Sequence, residues 1–336
     1  MQFENNNNKM FFYFILFFST MISISSNSWL GCWIGLEINL LSFIPIITIN
    51  NNLMSSEASL KYFLIQSIAS MNFLFIILMN MILFKLFFFN NFLNIMLNSS
   101  LIMKMGAAPF HFWFPSIIEG LSWLNCFILM TWQKISPLIL LSYYFHMKFL
   151  YFIMLITIIV GSLSGLNQTS LRKLLTFSSI NHLGWLILSI IISENLWLIY
   201  MLIYTFLLMI MCMMFYLFNT FFLNQLFFNN FNKMTKLLIF LNLLSLGGLP
   251  PFLGFFPKWI IINFMIYNNM IILTFIFICM SLIMLFFYIR ITYSSFMFNY
   301  FKLKWYSIFI KKNLMNFINL LMFFSLISLI LTTFFF

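Results

Sequence analysis

Four ionisable side chains lie inside long apolar stretches of this chain: Glu37, Lys104, Lys134 and Lys258. An ionisable residue near the centre of a bilayer costs ~3 kcal/mol or more and usually faces an interior cavity with a partner. Carboxylates and amines bind and release protons, so these residue types predict proton transfer within a membrane. The structural alternatives are a protonated packing anchor for the glutamate and snorkelling for the lysines.

Two histidines could extend such a set. His111 lies within a Gly- and Pro-rich segment, where an unwound backbone needs polar partners or water. His182 is in the middle of an apolar stretch, among small polar neighbours. Both could relay protons. Both could equally be hydrogen-bonded packing residues, and the sequence leaves the two interpretations open.

A repeated motif indicates how these side chains are positioned. The segments 106–115 and 248–257 both have the pattern G-x-x-P-F-x-x-aromatic-F-P, with an offset of 248 − 106 = 142 residues. Lys104 precedes the first segment and Lys258 follows the second. Pro lacks a backbone N–H and clashes with the preceding turn, so each segment should break a helix. Paired breaks in the two halves of a membrane protein point to an ion path.

The composition sets the class of protein. The chain has 336 residues, of which 64% are hydrophobic and 6% are charged. Such a sequence predicts an all-α polytopic membrane protein, because a spanning helix needs ~20 mostly apolar residues. Eleven spans are predicted. They are 10–26, 28–49, 57–89, 97–117, 121–143, 147–167, 171–192, 194–222, 236–263, 268–298 and 315–335.

Depth within these spans supports the proton-transfer interpretation. Glu37 is nine residues from the start of its span at 28, or ~14 Å at the helical rise, which is near the middle of a ~30 Å core. Lys134 is thirteen residues into its span, too deep to snorkel easily. The lower-energy arrangement gathers the four charges at one depth. The sequence therefore predicts a hydrated file from Glu37 through Lys104 and Lys134 to Lys258.

The basic residues outside the spans set the orientation. With eleven spans, nine of them fall in loops on the side of the N-terminus: Lys9, Arg172, Lys173, Lys233, Lys236, Lys302, Lys304, Lys311 and Lys312. Lys and Arg are retained on the side of synthesis, so the N-terminus should lie in that compartment. The formal charge of +11 is therefore attributed to loop retention, and no nucleic-acid partner is expected.

Cysteine usage and the N-terminus bear on metals and location. Cys32, Cys126, Cys212 and Cys279 are far apart without a C-x-x-C pair, so neither a metal site nor a disulfide is expected. No Arg-rich transit peptide precedes the first apolar run, and the Phe- and Asn-rich, Ala-poor composition is typical of an AT-rich genome. These features favour synthesis inside an organelle.

Five stretches carry a resemblance to a known family. They are 35–41, 103–113, 131–134, 166–173 and 247–259. They resemble the chain 2 family of NADH:ubiquinone oxidoreductase, the mitochondrially encoded, antiporter-like membrane subunits of respiratory complex I, and the composition resembles insect members. The resemblance implies an antiporter-like fold in a single membrane domain, 1–336. It has two inverted five-helix repeats, about 10–143 and about 147–298, each with one broken helix, and a C-terminal helix, 315–335.

The resemblance also implies roles and surroundings. Glu37 matches the family's membrane glutamate, Lys104 and Lys258 the lysines on the broken helices, and Lys134 the central lysine. His111 and His182 fall at polar positions of the central axis. The chain itself would carry no cofactor and no metal. NAD, FMN, iron–sulfur clusters and ubiquinone would be bound by partner subunits of the complex.

The implied partners are other membrane-arm subunits, including antiporter-like ones, and lipids such as cardiolipin. The implied location is the mitochondrial inner membrane, with the N-terminus in the matrix and the C-terminus in the intermembrane space. An independent cation/proton antiporter and a structural scaffold are the competing functions. A scaffold has no need of four buried ionisable residues.

Overall fold

The computed structural model describes residues 2–48, 52–83, 90–228, 233–297, 315 and 318–326. Within these ranges the chain is helical, and the one extended pairing is an isolated bridge between Ser170 and Phe222. The helices are α1 (Gln2–Ser25), α2 (Trp29–Ile47), α3 (Leu53–Leu83), α4 (Asn90–Met105), α5 (Trp113–Ile118), α6 (Trp123–Met130), α7 (Trp132–Tyr143), α8 (Met147–Ser164), α9 (Leu171–Ile192), α10 (Glu194–Phe218), α11 (Leu223–Phe228), α12 (Lys233–Gly247), α13 (Phe255–Tyr267) and α14 (Ile271–Met297).

Seven of the described helical stretches are long and apolar enough to cross a membrane, and three shorter apolar helices accompany them. The shorter ones, Lys9–Ser25, Met234–Gly247 and Phe255–Tyr267, overlap the first and ninth predicted spans. The count of eleven therefore stays a prediction. Of the eleventh span, 318–326 is helical, and most of the remainder lies outside the described residues.

Several predicted bounds need correction. The fourth span begins at Asn90 and not at 97. The fifth, 121–143, corresponds to one candidate span, Trp123–Tyr143, in which the Thr131 backbone (φ −118°, ψ −70°) separates α6 from α7. The eighth ends at Phe218 and not at 222, because Asn219 takes a left-handed conformation (φ 49°) that stops α10. A short helix, α11, lies where a loop was expected.

The chain divides into two compact units, Met1–Ile153 and Met154–Phe336. In the first, α2 packs against α1 and α3, and α4 packs against α3 and α7. In the second, α9 packs against α10 and α13, and α12 packs against α10 and α14. α9 is buried on nearly all sides although it carries polar residues such as Ser178, Asn181 and His182, so it is the central helix of this unit.

The first copy of the repeated motif breaks a helix, as predicted. α4 ends at Met105, and Gly106 takes a positive φ of 72°. The N–H groups of Gly106 and Ala107 donate to the carbonyls of Met103 (3.2 Å) and Ile102 (3.2 Å), the Schellman pattern of a helix C-terminus. The backbone becomes helical again at Trp113, so the last residues of the motif belong to α5.

The second copy repeats this local structure. α12 ends at Gly247, and Gly248 takes a φ of 89°. The N–H of Gly248 donates to Ser245 (3.0 Å), and that of Leu249 to Leu244 (3.4 Å), which is again the Schellman pattern. α13 begins at Phe255. The shared motif therefore produces the same backbone ending 142 residues apart, since the glycines differ by 248 − 106.

Candidate functional site

The first unit brings Glu37 and Lys104 together. Lys104 is in the last turn of α4, only 7% exposed, and Glu37 on α2 is half-buried. The carboxylate lies within electrostatic range of the Lys104 ammonium, and the coupling of the two in proton transfer stays a prediction. The Lys104 backbone is held from α3, where Gln66 Nε2 donates to its carbonyl oxygen (3.1 Å). The pair therefore depends on three helices.

Lys134 lies at the same small cavity as Lys104. The cavity, about 20 Å³, is lined by residues of α2, α3, α4, α5, α6 and α7, including both lysines. That is room for about one water molecule. Lys134 is 1% exposed, and its Nζ is 5.2 Å from the centroid of the Phe114 ring. A cation–π contact of this kind stabilises a desolvated ammonium.

The helix interruption at Thr131 positions Lys134. The Thr131 hydroxyl donates to the Phe127 carbonyl (2.7 Å), and the Lys134 N–H donates to the Thr131 carbonyl (3.2 Å). The neighbouring Gln133 Nε2 donates to Asn39 Oδ1 on α2 (2.9 Å). The start of α7 is thereby tied to the helix that carries Glu37. Two side-chain amides therefore join the helices that line the cavity: Gln133 bonds to Asn39 on α2, and Gln66 on α3 bonds to the Lys104 carbonyl on α4.

His111 sits apart from this cavity. It lies in the first break, 9% exposed, with Nδ1 3.3 Å from the Pro109 carbonyl oxygen and its ring 4.2 Å from the Phe112 ring. A freed carbonyl of the break therefore meets a histidine, as expected. His111 does not line the cavity shared by Lys104 and Lys134. Its contacts are local to the break.

In the second unit, Lys258 closes the second break. Its Nζ donates to the carbonyl of Gly247 (2.9 Å) and reaches that of Leu246 (3.5 Å), and the side chain is 4% exposed. These carbonyls end α12, where the helix dipole is negative and a cation is favoured. The expectation that freed carbonyls meet a lysine is therefore met here.

His182 lies between two tyrosines of α10. Its Nδ1 is 2.8 Å from the Tyr200 hydroxyl, and its ring is 4.9 Å from the Tyr204 ring. All three side chains are buried, with exposures of 4%, 1% and 2%. The sequence analysis placed His182 among small polar neighbours but did not identify either tyrosine. Their spacing of four residues within one predicted span was the available signal.

The sequence analysis also missed the amides of the first unit. Gln66, Asn39 and Gln133 are uncharged, so the search for ionisable residues passed over them. A buried amide in an apolar span is itself a signal, because an unpaired one is costly. Among the described residues no group of three His, Cys, Asp or Glu side chains could hold a metal ion.

Comparison with known proteins begins with the family. Residues 26–284 match the family described as NADH:quinone oxidoreductase/Mrp antiporter, transmembrane. A protein of Anopheles gambiae named NADH-ubiquinone oxidoreductase chain 2 is 52% identical over 293 residues, which cover 86% of each chain. The range 26–284 that matches the family includes all six of the predicted site residues.

Solved structures share the fold. A chain of respiratory complex I from Thermus thermophilus, solved with bound aureothin, superposes with a TM-score of 0.82 at 20% identity, covering 96% of this chain and 78% of that one. A chain of the Mrp complex from a Dietzia species superposes with a TM-score of 0.74 at 14% identity, covering 82% and 58%. At these identities the likeness concerns the fold alone.

Proposed function

The chain belongs to the NADH:quinone oxidoreductase/Mrp antiporter family, and we propose that it is a membrane-arm subunit of mitochondrial respiratory complex I. In this role it takes part in moving protons across the inner membrane, while NADH oxidation and ubiquinone reduction occur in other subunits. The observation that carries the proposal is the pair of broken helices, each with a buried lysine, in a chain half identical to a relative named for that complex.

The residues of the first unit would load and release protons by changing their spacing. At an effective dielectric of ~20, a carboxylate and an ammonium attract by ~3.3 kcal/mol at ~5 Å and by ~1.7 kcal/mol at ~10 Å. The difference of ~1.6 kcal/mol changes a proton-binding equilibrium by about tenfold. A swing of a few ångströms between Glu37 and Lys104 therefore suffices, and Lys134 at the same cavity would receive the proton through water.

Lys258 is proposed as the proton-transfer lysine of the second unit, with His182 as a relay there and His111 as a relay in the first unit. We further propose the architecture that the family resemblance implies: eleven spans, two inverted repeats, the N-terminus in the matrix and the C-terminus in the intermembrane space. The redox cofactors would be bound by partner subunits. Lipids such as cardiolipin would contact the apolar exterior.

A second candidate is an independent cation/proton antiporter, because the family includes Mrp antiporters and an Mrp chain shares the fold. Isolation in mild detergent separates the two functions. A complex I subunit should co-purify with many partners that together oxidise NADH. An antiporter subunit should co-purify with few proteins and without that activity.

Lys134→Met tests proton transfer directly. The substitution keeps an unbranched side chain at a buried position and removes the titratable group, so the rate of coupled proton transport should fall by about tenfold or more. NADH oxidation by an artificial electron acceptor should persist, because that chemistry belongs to other subunits. Lys148→Met, at an exposed lysine, is the matched control and should behave as the native complex. An unchanged rate of coupled proton transport in a fully assembled Lys134→Met complex would contradict the proposal.

A further inference from the structure

The Tyr200 hydroxyl contacts His182 inside the second unit. It lies 2.8 Å from Nδ1, and the Tyr200 and Tyr204 rings lie 6.0 and 4.9 Å from the imidazole. This contact joins α9 and α10 through buried polar side chains.

Helix geometry explains the arrangement around the imidazole. Tyr200 and Tyr204 are four residues apart on α10, so they lie on one face of that helix, one turn apart. His182 lies on the central helix α9, which α10 packs against. The two tyrosines therefore enclose the imidazole from one side of α9.

Packing alone does not account for tyrosine at these positions. The chain contains 50 Phe and 13 Tyr, so an aromatic ring without a hydroxyl is its usual choice for filling apolar space. A buried hydroxyl costs free energy unless it is hydrogen-bonded. Tyr200 meets that cost by contacting a titratable ring directly. A hydroxyl and an imidazole at 2.8 Å are within proton-transfer distance.

We propose that Tyr200 is a proton-relay residue that acts on His182. This inference rests on the proposed function. The Tyr200 O–H passes its proton to Nδ1 of His182 while the Tyr200 oxygen takes a proton from a water molecule. The imidazolium then rotates, and Nδ1 gives that proton to a second water molecule. The ring keeps its Nε2 proton throughout and rotates back, so one proton advances and both Tyr200 and His182 end with the protons they had.

The test uses the assembled complex in sealed inner-membrane vesicles. Tyr200→Phe removes only the hydroxyl and keeps the ring. It should lower proton transport and coupled turnover by about fivefold, the factor that corresponds to one hydrogen bond in the transfer step. The ratio of rates in H2O and D2O should rise, because proton transfer becomes rate-limiting. Tyr216→Phe, at an exposed tyrosine of the same helix, should leave both quantities unchanged.

Tyr200→Gln distinguishes a proton-relay role of Tyr200 from a purely structural hydrogen bond to His182. The amide can hydrogen-bond to His182 but does not exchange a proton in line. A relay predicts that the Gln and Phe variants are both impaired. Native transport in an assembled Tyr200→Gln complex would overturn the inference, and this holds even if the Phe variant does not assemble.

Two further outcomes separate the inference from the proposed function. Native transport and isotope ratio in Tyr200→Phe, together with a loss in Lys134→Met, would overturn the relay and leave the proposed function intact. Native transport in both variants would overturn both.

Discussion

The two broken helices begin alike and place their lysines differently. In each, a glycine with positive φ ends the first half-helix in a Schellman pattern. Lys104 precedes its break and lies within electrostatic range of Glu37 on another helix, whereas Lys258 follows its break and bonds to the carbonyls of Gly247 and Leu246. One lysine therefore has a titratable partner and the other has fixed backbone dipoles. A repeated motif sets the backbone, and the surroundings set the charge partner.

The largest expected difference concerns the residue just before each second half-helix. A Cβ on Gly254 would lie 1.8 Å from the Ser245 carbonyl oxygen, so Gly254→Ala should force the two halves of the second break apart. The destabilisation should exceed about 3 kcal/mol, and little complex should assemble. The equivalent position in the first break is Phe112, which is 79% exposed, and Phe112→Ala should be tolerated. Native gels of inner membranes measure this, and a normal amount of Gly254→Ala complex would show that the breaks are equally permissive.

An intermediate effect should follow from changing the partner of only one lysine. Glu37→Gln removes the charge facing Lys104 and leaves the Lys258 contacts in place. Coupled turnover should fall by about tenfold, the equivalent of ~1.4 kcal/mol, while the complex still assembles.

Glu57→Gln is the control for Glu37→Gln. Glu57 pairs with Lys61 at the exposed surface of α3, and exposed pairs contribute little, so its turnover should be native. Loss of assembly in Glu37→Gln would instead identify Glu37 as a packing anchor.

The smallest effect should distinguish the two glycines themselves. Gly106→Ala and Gly248→Ala each introduce a Cβ at positive φ, which costs ~1–2 kcal/mol, so both should lower the Tm of the complex by similar amounts. At Gly248 the new Cβ also lies 3.0 Å from Lys258 Nζ, whereas at Gly106 it meets the Trp113 and Phe114 side chains. Proton transport should therefore fall more in Gly248→Ala. Equal losses of proton transport in the two variants would show that crowding of Lys258 by residue 248 does not affect transport.

The sequence predicted the helices and breaks well where residues within one short segment determine the backbone. The span 171–192 coincides with α9, and 28–49 contains α2. Both G-x-x-P-F segments end a helix at their glycine, since Schellman bonds join residues only a few positions apart. The interruption at Thr131 was not predicted, because no Gly or Pro marks it. It became visible only in the backbone of the packed unit.

The sequence predicted the ionisable residues of the candidate site but not the residues that hydrogen-bond to them. Glu37, Lys104 and Lys134 were identified because an ionisable residue is conspicuous in an apolar span. Gln66, 38 residues from Lys104 along the chain, and Tyr200, 18 residues from His182, were not identified. Neither pair of positions has a sequence relation that would join them.

The sequence by itself determined the class of protein, the two helix breaks and the costly charges, because hydropathy, proline sterics and charge burial act within single segments. The tertiary structure alone decided which groups face those charges. It brought Glu37 within electrostatic range of Lys104, brought Lys104 and Lys134 to one cavity, turned Lys258 back onto the end of α12 and placed two tyrosines of α10 against His182. The physical reason is that electrostatic and hydrogen-bond partners are selected by distance in space, which helix packing controls and sequence separation does not.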